Sequence, residues 1–275
     1  MNEIELKKLH NKILEIAIYF DRFCKENGIT YYLMGGTALG AIRHKGFIPW
    51  DDDFDVFMDS HNYAKLLNIV DEKLDKEKFY FQKEDTKEWG LYFSKLRMHG
   101  TTFIEKDLKD SEMHHGIYID IMCLNNTSEF KPLRYMQYLS ARILSANVLA
   151  IRGYHTEDKK KKVLLWIAKY GISTPVKAIL LKIVRGLNTK NTKMVGHFFG
   201  RAPFLKTSFP KSFLGTPRYV TFETLQLPVP QEVEAYLTVR YGEHYMALPS
   251  EEEKAKYPSH AYIVDVSKSY KEFRL

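Results

Sequence analysis

YYLMGGTALGAIRHKGFIPWDDDFDVFM, residues 31–58, is the stretch that decides the fold. A short apolar run over 29–34 breaks at Gly35-Gly36, and Thr37 stands where it can cap a short helix over 38–44. A strand, a tight turn and a helix start in that order expose backbone N–H groups where the helix dipole favours an anion. Residues 45–50 form a loop held by Gly46 and Pro49, and residues 53–58 alternate like a second strand. Residues i and i+2 of a strand share a face, so Asp53 and Asp55 point the same way while Phe54 faces a core. Two carboxylates held close repel one another, and a hard divalent cation relieves that repulsion. Each piece has a plainer reading: a glycine pair is often only a turn, an Asp-x-Asp pair is often solvated, and Asp51 and Asp52 fit an acidic loop.

Outward from this stretch, apolar residues from Ile4 to Phe23 recur at three and four, which predicts an amphipathic helix over 3–26, stopped by Asn27-Gly28. A helix over 61–74 and strands at 79–82, 92–98, 101–104 and 117–124 follow. The last of these places Asp120 alone among apolar residues, a costly position unless the carboxylate is paired or bound to metal. Beyond residue 131 the pattern turns helical, over 133–151, 159–170, 175–187 and 192–199. A returning strand at 219–222 and a helix over 231–241 close the chain. The expectation is an α+β fold, a mixed sheet flanked by helices, divided into a catalytic core at 1–130, a helical basic insert at 131–215 and a C-terminal segment at 216–275 completing the core.

At 275 residues, 45% hydrophobic and 27% charged, the chain buries a substantial core, which excludes disordered, collagen-like and coiled-coil classes. Its net charge of +7 is unevenly spread. Residues 1–130 carry 17 Lys/Arg against 23 Asp/Glu, residues 131–222 carry 18 against 2, and residues 223–275 carry 6 against 9. An acidic body with a basic insert points to a polyanionic partner. Two cysteines, Cys24 and Cys123, build neither a disulfide framework nor a zinc site, and a reducing, cytoplasmic setting is expected. The start MNEIELKKLHNK has no signal-peptide character, and no run reaches the ~20 apolar residues of a membrane span.

GGTALGAIRHKGFIPWDDDFDV resembles the hallmark of the LicD-type phosphocholine transferase family, which includes the fukutin-related ribitol-phosphate transferases and has the nucleotidyltransferase fold. Gly36, Thr37, Leu39, Gly40, Arg43, Gly46, Ile48, Pro49, Trp50, Asp51, Asp52, Asp53 and Asp55 fit its pattern, G-T-x-L-G-x-x-R-x-x-G-x-I-P-W-D-D-D-x-D. GIYIDIMCL at 116–124, EAYLTVRYGEHYMALP at 234–249 and Pro258-Ser259-His260 are supporting echoes. The resemblance implies transfer of a substituted phosphate from a CDP-activated donor such as CDP-choline to a hydroxyl of a glycan or its lipid-linked precursor, with release of CMP. Mg²⁺ (or Mn²⁺) on Asp53, Asp55 and Asp120 is its implied cofactor, with Asp120 either completing the metal shell or accepting the acceptor's proton. Ribitol-phosphate or glycerol-phosphate transfer, NMP transfer releasing pyrophosphate, and a non-enzymatic binding scaffold are the alternatives.

Gly35, Gly36 and Thr37 are expected to hold phosphate oxygens through their backbone, with Arg43 as a forked contact and Lys45 as a point charge. The plain reading of Arg43 is a surface charge or a salt bridge to Asp51 or Asp52. Lys95 and Arg97 alternate on one strand face and are candidates for the nucleotide phosphates, against a merely solvated face. A choline ammonium needs aromatic faces, for which Trp50, Trp89 and Tyr92 are candidates, against core packing. His260 is either catalytic or terminal structure, and His114-His115 a loop rather than a metal site. Residues 159–193 hold ten Lys/Arg and no Asp/Glu, interleaved with apolar residues at helical spacing. That pattern fits a helix pair on an anionic membrane surface or a core-packed pair with a basic outer face. No nucleic-acid module accompanies the charge, so no nucleic-acid partner is expected.

Overall fold

The computed structural model describes residues 2–154, 156–254 and 259–273. Helix α1 (Glu3–Glu26) opens on a reciprocal cap: Asn2 Oδ1 accepts from the Glu5 N–H and Glu5 Oε2 from the Asn2 N–H, both at 2.9 Å. Its buried stripe, Leu9, Ile13, Ile16, Ala17, Phe20, Phe23 and Cys24, is the one the three-and-four spacing predicts. Strand β1 (Tyr32–Leu33) leads to α2 (Gly35–His44), then β2 (Asp55–Asp59) and α3 (Ser60–Lys73). Strands β3 (Phe79–Gln82), β4 (Ser94–Met98), β5 (Thr102–Glu105) and β6 (Tyr118–Thr127) follow.

The basic region forms α4 (Lys131–Ile151), α5 (Lys159–Gly171) and α6 (Thr174–Arg185), with Pro132 and Pro175 in first turns, where a missing N–H costs nothing. After it come β7 (Met194–Gly196), β8 (Ser208–Pro210), β9 (Arg218–Phe222), β10 (Leu225–Val229), α7 (Val233–Tyr241), the short α8 (Glu251–Lys254) and β11 (Ala261–Asp265).

The main sheet runs β1-β2-β6-β4-β3, with β7 and β8 continuing from the far half of β6. Among the described residues, only β2 and β6 pair in parallel; the other pairs are antiparallel. Two ribbons, β9–β10 and β5–β11, stand beside it. The fold is α+β, as expected. The helix expected over 192–199 is a correction: Met194–Gly196 is a strand, because Asn125, Asn126 and Thr127 at the end of β6 offer it a partner. Met194–Gly196 and Ser208–Pro210 therefore join the sheet, and the long helices of the basic region end with α6.

Helices α4 and α6 and the Tyr92–Phe199 stack close over a second core of Ala141, Leu144, Val148, Val184 and Phe198. Polar ties hold these helices to the body. Gln137 Nε2 donates to the carbonyl of Val184 at 2.9 Å, Arg185 pairs with Glu84 at 2.8 Å, and Lys177 pairs with Asp85 at 2.6 Å.

Candidate functional site

The site is built where β1, α2, β2 and β6 meet. The Met34 N–H donates to the carbonyl of Asp55 at 3.0 Å, closing β1 onto β2. Gly35 then turns the chain with φ +53°, a left-handed value glycine adopts without strain, and its N–H donates to the Tyr236 hydroxyl at 3.0 Å. Helix α2 thus starts at Gly35, three residues before the predicted Ala38. Thr37 is not its cap: the buried hydroxyl accepts from the Asp55 N–H at 2.8 Å and locks helix to strand.

This turn aims the helix N-terminus at carboxylates. A Cβ on Gly36 would stand 2.8 Å from Asp51 Oδ2, and one on Gly35 would stand 3.8 Å from Asp55 Oδ2. Asp55 and Asp120 are direct partners in the parallel β2–β6 ladder, and Lys95 on β4 is the partner of Asp120 on its other side. Paired residues on adjacent strands share a face ~5 Å apart, so two carboxylates and an ammonium lie in one row. Asp53 lies just before β2, in the loop, rather than on the strand with Asp55. The ladder begins only where Asp55 meets Asp120.

Electrostatics identify the group as one cluster. Burial, then Asp120 and Asp51, push the Asp55 carboxyl up to about 8. Burial and Asp52 push Asp51 up to about 6. Asp53 is raised by burial and by Asp55, Asp51 and Asp120 together. Asp120 is raised by burial, although the Lys95 ammonium at 2.7 Å opposes it. Hard oxygen donors under mutual repulsion have the chemistry a hard divalent cation needs. Among the described residues, however, no three His, Cys, Asp or Glu side chains are grouped closely enough to hold such an ion as they stand.

Asp52 does different work. It is 3% exposed and gathers the returning C-terminal segment, accepting from Ser259 Oγ at 2.5 Å, the His260 N–H at 2.8 Å and the Ala261 N–H at 3.2 Å. Its other oxygen meets His260 Nδ1 at 3.0 Å. That contact raises the His260 pKa, and the charge of the protonated ring also reaches Asp51 and Asp55.

The predicted basic contacts fall elsewhere. Arg43 occupies the last turn of α2 and donates to the carbonyls of Tyr245 and Ala247 at 3.1 and 2.9 Å, pairing with neither Asp51 nor Asp52. Lys45 is exposed at the C-terminal end of the same helix, ~15 Å along the axis from Gly35. Arg97 is wholly buried and donates to Gln82 Oε1 and the Gly116 carbonyl, so its face of β4 is closed rather than solvated. Lys95 is also buried, at the cluster, 3.3 Å from the Tyr118 ring centre and 3.9 Å from Glu105.

Of the aromatic candidates, Trp89 and Tyr92 are core residues. Trp50 is half-buried against the core, with the Lys254 ammonium over its ring, 4.4 Å from the centre. His114 bonds His99 and the Gly116 N–H, and burial pushes it down to about 3, while His115 bonds the Ser111 carbonyl; both are structural. Sequence reading missed Asp51 as a cluster member, Asp52 as the clasp, and Tyr236 and Glu105. The EAYLTVRYG and Ser259-His260 echoes were the available signal for Tyr236 and the clasp; Glu105 had none.

Residues 28–145 match the family model described as LicD/FKTN/FKRP, nucleotidyltransferase domain. The chain is 26% identical over 282 positions to the lipopolysaccharide cholinephosphotransferase LicD of Haemophilus influenzae, spanning 96% of this chain and 100% of that protein. A likeness of 28% over 116 residues links 40% of the chain to 9% of mannosyltransferase regulator 4 of Saccharomyces cerevisiae. A 45-residue stretch, 16% of this chain, is 55% identical to 17% of an uncharacterised protein of Rickettsia prowazekii. The glycine turn and the aspartate row lie within the matched residues, so residues 28–145 carry a LicD-type nucleotidyltransferase domain.

Proposed function

We propose that this chain transfers phosphocholine from CDP-choline to a hydroxyl of a cell-surface glycan or its lipid-linked precursor, releasing CMP. The observation that carries the reading is the pairing of Asp55 with Asp120 at the N-terminus of the helix that starts at Gly35. The full-length likeness to a cholinephosphotransferase supports the choice of head group.

Asp53, Asp55 and Asp120 would hold Mg²⁺ or Mn²⁺, with Asp51 beside them. A bound cation supplies the charge that lets a diphosphate approach four carboxylates and that steadies the departing CMP. The Gly36 and Thr37 N–H groups, at the start of α2, would hold phosphate oxygens. Lys95 counters the burial that would protonate Asp120, which suits that carboxylate either to the metal shell or, instead, to taking the acceptor's proton. Trp50 would offer the ring face that Lys254 covers, the quaternary ammonium taking the place of that ammonium. The same reading places the chain in the cytoplasm, where the unpaired Cys24 and Cys123 meet no oxidant.

The test is product analysis with CDP-choline, CDP-ribitol and CDP-glycerol offered separately with Mg²⁺ and a glycan acceptor. CMP and choline-phosphate-bearing glycan are expected from the first donor alone, and neither from Asp55→Ala. Released pyrophosphate, preference for another donor, or an active Asp55→Ala would overturn the reading.

A further inference from the structure

Helices α5 and α6 leave apolar side chains in the open. Val163, Leu164, Trp166, Ile167 and Tyr170 on α5 are between 52% and 67% exposed, and Ile179 on α6 is 60% exposed. Core packing of the pair would require Leu164, Leu165, Ile179 and Leu180 to be buried; two are exposed and two half-buried. Only Ala168 on α5 and Val184 on α6 are fully buried. The inner faces are anchored: Asn147 Nδ2 donates to the carbonyl of Ala168 at 2.7 Å, and Arg185 and Lys177 pair with Glu84 and Asp85. The outward face is therefore presented by a fixed support.

Charge lies along the same face. At 3.6 residues per turn, Lys159 and Lys160 line up with Val163, Leu164 and Ile167, while Lys162 lines up with Trp166 and Lys169. Among the described residues, Lys159, Lys160, Lys161, Lys169 and Lys182 have no carboxylate within ion-pair distance. Between the two helices the chain bends by 106°, and no single described helix is long and apolar enough to cross a membrane.

We propose that the α5–α6 pair docks the protein on an anionic phospholipid surface, with Val163, Leu164, Trp166, Ile167 and Tyr170 entering the headgroup boundary and the lysines meeting lipid phosphates. An apolar strip rimmed by cations, with Trp and Tyr among it, matches a layer that is greasy below and anionic above. A second copy of this chain is the poorer occupant, because a symmetric contact would set two acid-free segments with ten Lys/Arg each against one another. A nucleic acid would meet the lysines but leave the valine, leucine and isoleucine side chains without a partner.

The test is co-sedimentation of the full chain with phosphatidylcholine vesicles, with and without about 30 mol% phosphatidylglycerol. Binding is expected only with the anionic lipid. It should weaken as salt rises and fall at least tenfold when Lys159, Lys160, Lys161 and Lys162 become Gln. Tryptophan emission should shift to the blue on binding in the wild type and not in Trp166→Phe, a surface change whose fold circular dichroism checks. Equal binding to neutral vesicles, no binding, an unmoved emission, or protein that resists alkaline carbonate extraction would each overturn the proposal. So would a dimer in solution that loses its association when Trp166 is changed.

Discussion

Lys95→Met tests the electrostatic frame of the site through stability alone. The ammonium is 2% exposed and 2.7 Å from Asp120 Oδ1, so methionine keeps the buried stem while leaving the Asp120 carboxylate without its cation. Removing one partner of a buried ion pair costs about 3–5 kcal/mol, most of it from the charge left behind. At about 2–4 °C per kcal/mol for a chain of this size, the melting temperature should fall by roughly 6–20 °C. Asp120→Asn in the Lys95→Met background removes the stranded charge, and most of the loss should return; Glu105, 3.9 Å from the same ammonium, keeps recovery from being complete. Calorimetric unfolding of the wild type, both single variants and the double variant closes the cycle. Additive single effects, with no recovery in the double variant, would refute the claim that Lys95 serves to balance Asp120.

Other expectations concern the turn and the clasp. Gly36→Ala, whose new methyl would press on Asp51 Oδ2 at 2.8 Å, should lower transfer at least tenfold while leaving the melting temperature within about 2 °C, since its φ is not left-handed and alanine favours helix. Asp52→Ala strips acceptors from Ser259, His260 and Ala261, so limited proteolysis should cut the C-terminal segment faster than in the wild type. His260 gains its pKa from Asp52, so its contribution is full below its unfolded value of 6.5 and is lost as pH rises through the higher folded value. The melting-temperature gap between wild type and His260→Gln should therefore be widest below pH 6.5 and narrow as pH rises above it.

Much of the architecture is written in local pattern. The stripe of α1 follows from periodicity, because that helix buries one face against a large core. Met194–Gly196 was misread because three residues carry no period of their own; its strand exists only through β6. The β10 strand escaped notice because Pro228 interrupts the run, tolerable in a two-stranded ribbon. In the site, residue spacing marked the acidic cluster but misplaced its supports. Alternation put Lys95 and Arg97 on one face without saying whether water reaches it; Gln82 and Gly116 engage Arg97 and Tyr118 lies against both cations. Arg43 and Lys45 are expected as phosphate contacts from a helix starting at 38, yet a helix that begins at Gly35 carries both to its far end. Asp52 reads as one of three like aspartates, and only the returning chain at 259–261 sets it apart.

The most direct measurement of the central claim is calorimetric titration of CDP-choline into wild type and Asp55→Asn, each with Mg²⁺ and with excess chelator. The diphosphate and the carboxylates of Asp51, Asp53, Asp55 and Asp120 carry like charge, so the wild type should bind at least tenfold more tightly with Mg²⁺, and Asp55→Asn should lose most of that difference. Equal affinity with and without the cation, or a metal response unchanged in Asp55→Asn, would contradict the placement of the donor at this cluster.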